Sequence, residues 1–199
     1  MWVAVDLKLD GELSMRIFSV YSPPGAKNSE LRKDINQAIN PHILGNVVIA
    51  SDSNDVMDPN IDTISGKFSK VRNSLLKFLQ LKKSLVESYR TINATRTPAF
   101  SRGETKLIQG NLRFSASRID HIHISSELVE VLAGAGIDNR AELLISTDHW
   151  PCVISLDMCK YAFQKIEWQD SSKTEEPDWR LLNQAINDQR SLEAVNAPI

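Results

Sequence analysis

The chain has 199 residues, 42% of them hydrophobic and 24% charged, with 23 Lys and Arg against 25 Asp and Glu. This composition fits one globular domain with an appendage, and it excludes a transmembrane helix because no apolar run approaches the roughly 18 residues needed. The opening "MWVAVDLKLDGEL" alternates apolar and polar residues and lacks the basic-then-apolar order of a signal peptide, so an intracellular setting without membrane association is expected.

Cys152 and Cys159 have no metal-ligand spacing and read as reduced thiols. The formal charge of −2 is unevenly spread, because the segment from Asn60 to Asp120 holds twelve Lys and Arg against four acids. A locally positive middle attracts phosphate-rich ligands, although the same charges can also sit solvated on unrelated faces.

In chain order, apolar residues alternate over Val3–Leu9 and again over Leu13–Ile17, on either side of Asp10-Gly11. This pattern predicts a β-hairpin, since that dipeptide accepts the positive φ angles of a tight turn. "YSPPGAKNSE" is a loop, and a helix follows with Leu31, Ile35, Ala38 and Ile39 on one face, capped by Asn28 or Ser29 and ended by Pro41. "GNVVIASD" is a short buried strand. A second helix is expected around Val71, Leu75, Phe78 and Leu79 with Ser69 as its cap, and Thr91–Asn111 reads as loop with short strands at most.

"SRIDHIHIS" is a strand, "SSELVEVLAGAG" a helix stopped by Gly134, and "AELLIST" and "CVISLDM" two further strands. Beyond Met158 the chain becomes more charged, with Trp179, Leu182 and Ile186 on one helical face behind Pro177. The expected class is α/β (α+β) with a mixed sheet over residues 1–158, and residues 159–199 form a helical tail or spacer.

Polar residues gather at the strand ends. Asp52 and Asn54 follow the third strand, and on extended backbone a spacing of two points both to one side. The same D-x-N pattern also serves turns, where both side chains bond their own backbone. Arg118 and Asp120 share a face of "SRIDHIHIS", and Asp148-His149 follows "AELLIST". Together these groups supply acids, an amide donor and an imidazole, a set suited to hydrolysing a phosphate ester. His121 and His123 stand two apart without a third ligand at matching spacing, so a structural role is favoured. The acids from Asp52 to Asp62 do not make a calcium loop, because Val56, Thr63 and Ser69 occupy positions that need a ligand, a glycine and a glutamate.

The fragments "VYSPPG", "VVIASDSND", "LVESYR", "SRIDHIHIS" and "STDHWP" occur in this order. The series resembles the endonuclease/exonuclease/phosphatase superfamily, which includes deoxyribonucleases, apurinic-site endonucleases, retrotransposon endonucleases and inositol phosphatases. The resemblance implies a four-layer sandwich, two mixed β-sheets packed face to face and flanked by helices, with the active site at one edge. It implies a divalent-metal-dependent phosphodiesterase, endonuclease-like, that uses Mg²⁺ or Mn²⁺ and acts on nucleic acid, DNA first among candidates. Catalytic positions carried over are Tyr21 on the phosphate, Asp52 and Asn54 on the attacking water, Asp120 behind the imidazole, and His149 on the scissile phosphate. The metal positions are Asp148, Asp52, Asn54 and His149, and Arg90 and Arg118 give structural or phosphate-side support.

Ser51 stands where the family has glycine, and Glu87 where it often has aspartate. The family's first strands, with an asparagine and a metal-binding glutamate, have no counterpart here; Glu12 and Glu30 do not match. The expectation is an N-terminally incomplete domain, with two alternatives: a catalytically impaired remnant that still binds, or a phosphatase or phospholipase of the same superfamily.

Overall fold

The computed structural model describes residues 1–8, 14–66, 68–82, 84–93, 99–138 and 147–160. By its contacts the chain divides into Met1–Ala162 and Phe163–Ile199, and the second unit lies outside the described residues. The helical tail foreseen around Trp179, the Asp10-Gly11 turn and most of "AELLIST" therefore also fall outside them.

Strands β1 (Trp2–Lys8) and β2 (Ser14–Tyr21) pair antiparallel, from Trp2 opposite Val20 to Lys8 opposite Ser14. The chain then crosses through helix α1 (Ser29–Ile39) and returns as β3 (Val47–Asp52), parallel to β2. A parallel neighbour requires such a crossover. Strands β7 (Asp120–Ser125) and β4 (Leu85–Glu87) complete a five-stranded mixed sheet in the order β1-β2-β3-β7-β4.

Period-two alternation gives this sheet two apolar faces. Phe18, Val20, Val47 and Ile49 pack beneath Ile35 and Ile39 of α1 and beneath Leu75 and Leu79 of helix α3 (Leu75–Gln80). On the opposite face Met15, Val48, Ile122 and Ile124 pack with Leu128, Val131 and Leu132, leading to a second sheet of β8 (Leu132–Ile137) and β9 (Cys152–Leu156). Each fully buried side chain of this kind contributes roughly 1.5–3 kcal/mol. The fold class is the expected α/β arrangement of sheets flanked by helices. Val3, Val5 and Leu7 of β1 remain exposed.

Several local expectations are corrected. The buried face of α1 is Arg32, Ile35, Asn36 and Ile39, while Leu31 is exposed; the Arg32 guanidinium, held by backbone carbonyls, turns the helix away from its most apolar stripe. The second helix begins at Leu75 under a Ser74 cap that accepts the Lys77 N–H at 3.2 Å, so Ser69 is not the cap.

"SSELVEVLAGAG" is not a helix: a single 3₁₀ turn over Ser126–Leu128 gives way to β8. Pairing with β9 overrides helix propensity there. The stretch read as loop, Thr91–Asn111, holds β5 (Arg102–Ile108) and the turn of a long hairpin whose second strand, β6 (Asn111–Ser117), continues beyond it; Gln109 and Gly110 turn it at positive φ. Its charged, weakly apolar strands hide the period-two signal. Two short helices, α2 (Pro59–Asp62) and α4 (Ser88–Ile92), are capped by Asp58 and Glu87.

Candidate active site

Register builds the site. Tyr21 stands opposite Asp52, and Asp52 opposite Asp120, so three strand-end side chains lie abreast on one face of the sheet. This is the face that carries Val48, Ile122 and Ile124 toward the second sheet. The chain leaves β3 abruptly: the Ser53 N–H and hydroxyl both donate to the Ile119 carbonyl, at 2.9 and 2.8 Å. Across the strands, the Ser101 hydroxyl accepts the N–H groups of Ile119 and Asp120 at 3.0 and 2.9 Å, which fixes the entry into β7.

Asn54 adopts φ 47°, its N–H donates to Asp52 Oδ1 at 3.0 Å, and its side-chain amide donates to the Ser22 carbonyl at 3.0 Å. The turn reading and the functional reading of D-x-N thus coincide: an Asx turn holds the Asp52 carboxylate while Asn54 ties β3 to the loop after Tyr21. The two side chains do not project side by side as an extended strand would place them.

His149 arrives from the segment before β9. Its N–H donates to Thr147 Oγ1 at 3.1 Å, and it forms an isolated bridge with Arg102; Gly103 N–H donates to the Asp148 carbonyl at 3.0 Å and Trp150 N–H to the Ser101 carbonyl at 2.6 Å. Gly103 is needed for this approach, because a Cβ there would lie 3.0 Å from the Trp150 ring and 3.2 Å from Phe114. His149 Nδ1 then sits 3.0 Å from Asp120 Oδ2.

One ligand atom from each of Asp52, Asp120 and His149 lies within 4.8 Å of the others. Burial, and then repulsion from Asp120, push the Asp52 carboxyl above its ordinary value, against the opposing Asn54 N–H and the charges of His149 and Arg102. Two converging carboxylates beside one imidazole are the donor set that a divalent cation relieves, with oxygens suited to Mg²⁺ or Mn²⁺.

The structure does not bring Asp148 into this cluster. Its exposed carboxylate accepts from Arg102 Nε at 2.8 Å, which holds it below the usual carboxylate range, and its Oδ1 is 4.0 Å from His149 Nε2. Tyr21 is 47% exposed at its strand end, leaving its hydroxyl open to a ligand.

Arg118 and Arg90 are paired with buried carboxylates, as structural support. Arg118, expected on the face of Asp120, instead precedes a break in the strand and is 1% exposed, donating to Asp62 at 3.0 Å and Glu87 at 2.7 Å. Arg90 pairs with the same Asp62. Glu87 also caps α4 by accepting the Arg90 N–H at 2.7 Å. Burial alone would raise the Glu87 carboxyl, but nearby His121 and Arg118 more than offset it and hold it at about 2. "LVESYR" and "SRID" therefore meet as a buried structural network.

His121 and His123 alternate with Asp120 and Ile122 and lie on the opposite face of the sheet, both buried. Sequence reasoning missed Arg102, Ser101 and Asp62. All three lie in segments without apolar periodicity, and nothing in the local sequence marks them.

The fold is similar to that of solved endonuclease and exonuclease structures. The endonuclease domain of TRAS1, a telomere-specific non-LTR retrotransposon, aligns with TM-score 0.53 and 15% identity over 78% of this chain and 63% of that one. The 3′-5′ exonuclease NExo from Neisseria meningitidis gives 0.54 and 21%, covering 72% of this chain and 61% of that one. An AP endonuclease from Archaeoglobus fulgidus gives 0.57 and 17%, covering 72% and 62%. The chain thus spans less than two thirds of the length of these structures. No protein-family model and no curated protein matches the sequence. Among the described residues no helix is long and apolar enough to cross a membrane.

Proposed function

We propose that the chain is a divalent-metal-dependent phosphodiesterase domain that cleaves nucleic acid, DNA first. The observation that carries this reading is the convergence of Asp52 and Asp120, paired at the ends of β3 and β7, with His149. The structural neighbours support the substrate class, since they are an endonuclease domain, a 3′-5′ exonuclease and an AP endonuclease, and NExo is also seen bound to a product DNA hairpin. Free Cys152 and Cys159 suit an intracellular setting.

Asp52 and Asp120 would hold the cation, which when bound would neutralise phosphate charge and polarise the phosphorus. The protein's own residues supply the rest. Asp52, whose burial and Asp120 neighbour raise its affinity for a proton, orients the attacking water and, as the carboxylate, accepts its proton. Asn54 keeps that carboxylate in place. Asp120 accepts a hydrogen bond from the Nδ1–H of His149, which fixes the tautomer and leaves Nε2 for the phosphate. Tyr21 reaches the same edge with a hydroxyl donor. Asp148, tied to Arg102, would join the metal only by exchanging that partner.

The test is nicking of supercoiled DNA with Mg²⁺ or Mn²⁺, abolished by EDTA and lowered about 10²–10⁴-fold by His149→Ala, the range for a positioned acid–base group. Cleavage that persists in His149→Ala would overturn the site. DNA binding without cleavage would assign a non-catalytic remnant, and turnover confined to phosphoinositides or sphingomyelin would move the chain to the phosphatase or phospholipase branch.

A further inference from the structure

A groove of about 530 Å³ is lined in part by Asn54, whose N–H donates to Asp52, and by Arg102, which bridges to His149, so it opens beside the carboxylate–imidazole cluster. Its walls carry four cationic side chains, Arg32, Lys70, Arg72 and Arg102, and among the described residues no acidic side chain lines it. Among the described residues only Arg102 of the four has a carboxylate partner, Asp148.

Arg32 is 1% exposed, and its guanidinium is met by backbone carbonyls alone: Nε donates to Arg72 at 2.8 Å, and Nη1 to Pro23 at 2.9 Å and Gly25 at 2.8 Å. Carbonyl dipoles satisfy its hydrogen bonds without cancelling its charge, so a buried net positive charge stands behind the groove. Lys70 and Arg72 are exposed and make no ion pair among the described residues. Such an unbalanced field attracts an anion. The half-buried Phe68 and Val71 in the same wall add an apolar and aromatic surface, which an inorganic anion does not need and a base does.

We propose that this groove is an accessory nucleotide site, which takes a phosphate and base of a single-stranded nucleic acid next to the bond presented to Asp52 and His149. The identity of the ligand rests on the nucleic-acid reading above, whereas binding in the groove requires neither metal nor cleavage.

Anisotropy of a fluorescein-labelled ten-nucleotide thymidine strand, measured in EDTA over a range of salt, tests it separately from nicking. Lys70→Ala/Arg72→Ala should weaken binding by about tenfold or more and lower the slope of log K against log salt by about 1.4, roughly 0.7 for each cation. The backbone carbonyl of Arg72 that holds Arg32 survives this change. A charge-matched pair on other elements, Lys8→Ala/Lys77→Ala, should alter binding less than about twofold. Phe68→Leu should weaken binding about fivefold with the slope unchanged, through loss of base stacking.

The proposal is overturned if the strand does not bind, if the two charge pairs weaken it equally, or if Lys70→Ala/Arg72→Ala has no effect. It is also overturned if Phe68→Leu is silent while inorganic phosphate displaces the strand as effectively as a thymidine nucleotide, which would leave a simple anion site. Nicking that fails while this binding holds would sink the catalytic reading alone.

Discussion

His149 Nδ1 lies 3.0 Å from Asp120 Oδ2, joining a residue before the last described strand to the first residue of β7. This contact decides which imidazole nitrogen remains for a substrate. Asp120→Asn keeps the shape but offers the ring an amide that can present its NH₂ instead of an acceptor. Metal-dependent cleavage should fall by about 10²-fold or more with little change in DNA affinity, read from kcat and KM separately. An unchanged kcat would mean that the pair is only structural.

Asp52 tests the conflict between activity and stability. Its carboxyl is raised in the folded protein, first by burial and then by Asp120, so folding favours its protonated form. The associated stability is complete below the ordinary carboxylate value and is lost as pH rises through the higher folded value. At neutral pH the ionised group is therefore a liability. Metal-free Asp52→Asn should melt about 1–3 °C higher than the parent, a small effect because part of the group faces solvent. Millimolar Mg²⁺ should raise the Tm of the parent and not that of the variant; scanning calorimetry with and without EDTA reads both.

The buried pair of arginine contacts predicts a large loss. Arg118 joins Asp62 and Glu87, all nearly inaccessible. Arg118→Met removes the cation shared by two buried carboxylates and should destabilise the fold by about 3–5 kcal/mol in urea unfolding. Asp62 would retain Arg90, so Glu87 is the more exposed to the change.

His123 predicts acid sensitivity. It is 1% exposed, neither ring nitrogen has a hydrogen-bond partner among the described residues, and burial depresses its pKa from 6.5 to about 3. The unfolded chain binds a proton below pH 6.5 that the folded one refuses until near pH 3, so stability falls as pH drops through that window. The slope approaches about 1.4 kcal/mol per unit, or about 2 kcal/mol between neutrality and pH 5. Glu87, depressed from 4.5 to about 2, adds its own loss only below 4.5. His123→Leu should be as stable as the parent at pH 7, because an unpaired polar group is replaced by an apolar one, and should lose most of the decline between pH 6.5 and 5 in urea titrations.

Motif-bearing strands were legible in the sequence because their signal is local. The alternation over Val3–Leu9, the apolar run ending at Asp52 and the "DHIHIS" strand each carry their own periodicity, and each appears as a strand. "SSELVEVLAGAG" was misread for the converse reason: its helical spacing is real, but β9 offers backbone partners that the segment cannot reveal by itself. The β5–β6 hairpin was hidden because its strands are polar and largely exposed, so no buried face imposes alternation.

The sequence by itself determined which chemical groups would stand at strand ends: Tyr21, Asp52 and Asp120 are placed by the lengths of apolar runs and the residues that bound them. Only the tertiary structure decided which of those groups meet. Register across β2, β3 and β7 set Tyr21, Asp52 and Asp120 abreast, and the Arg102 bridge swung His149 onto Asp120 while it drew Asp148 aside. It also sent Arg118 into the interior, away from the face it shares with Asp120 in the one-dimensional pattern. The physical reason is that period and propensity act over a few residues, whereas register, ion-pair choice and the offsetting of buried charge are settled between segments tens of residues apart.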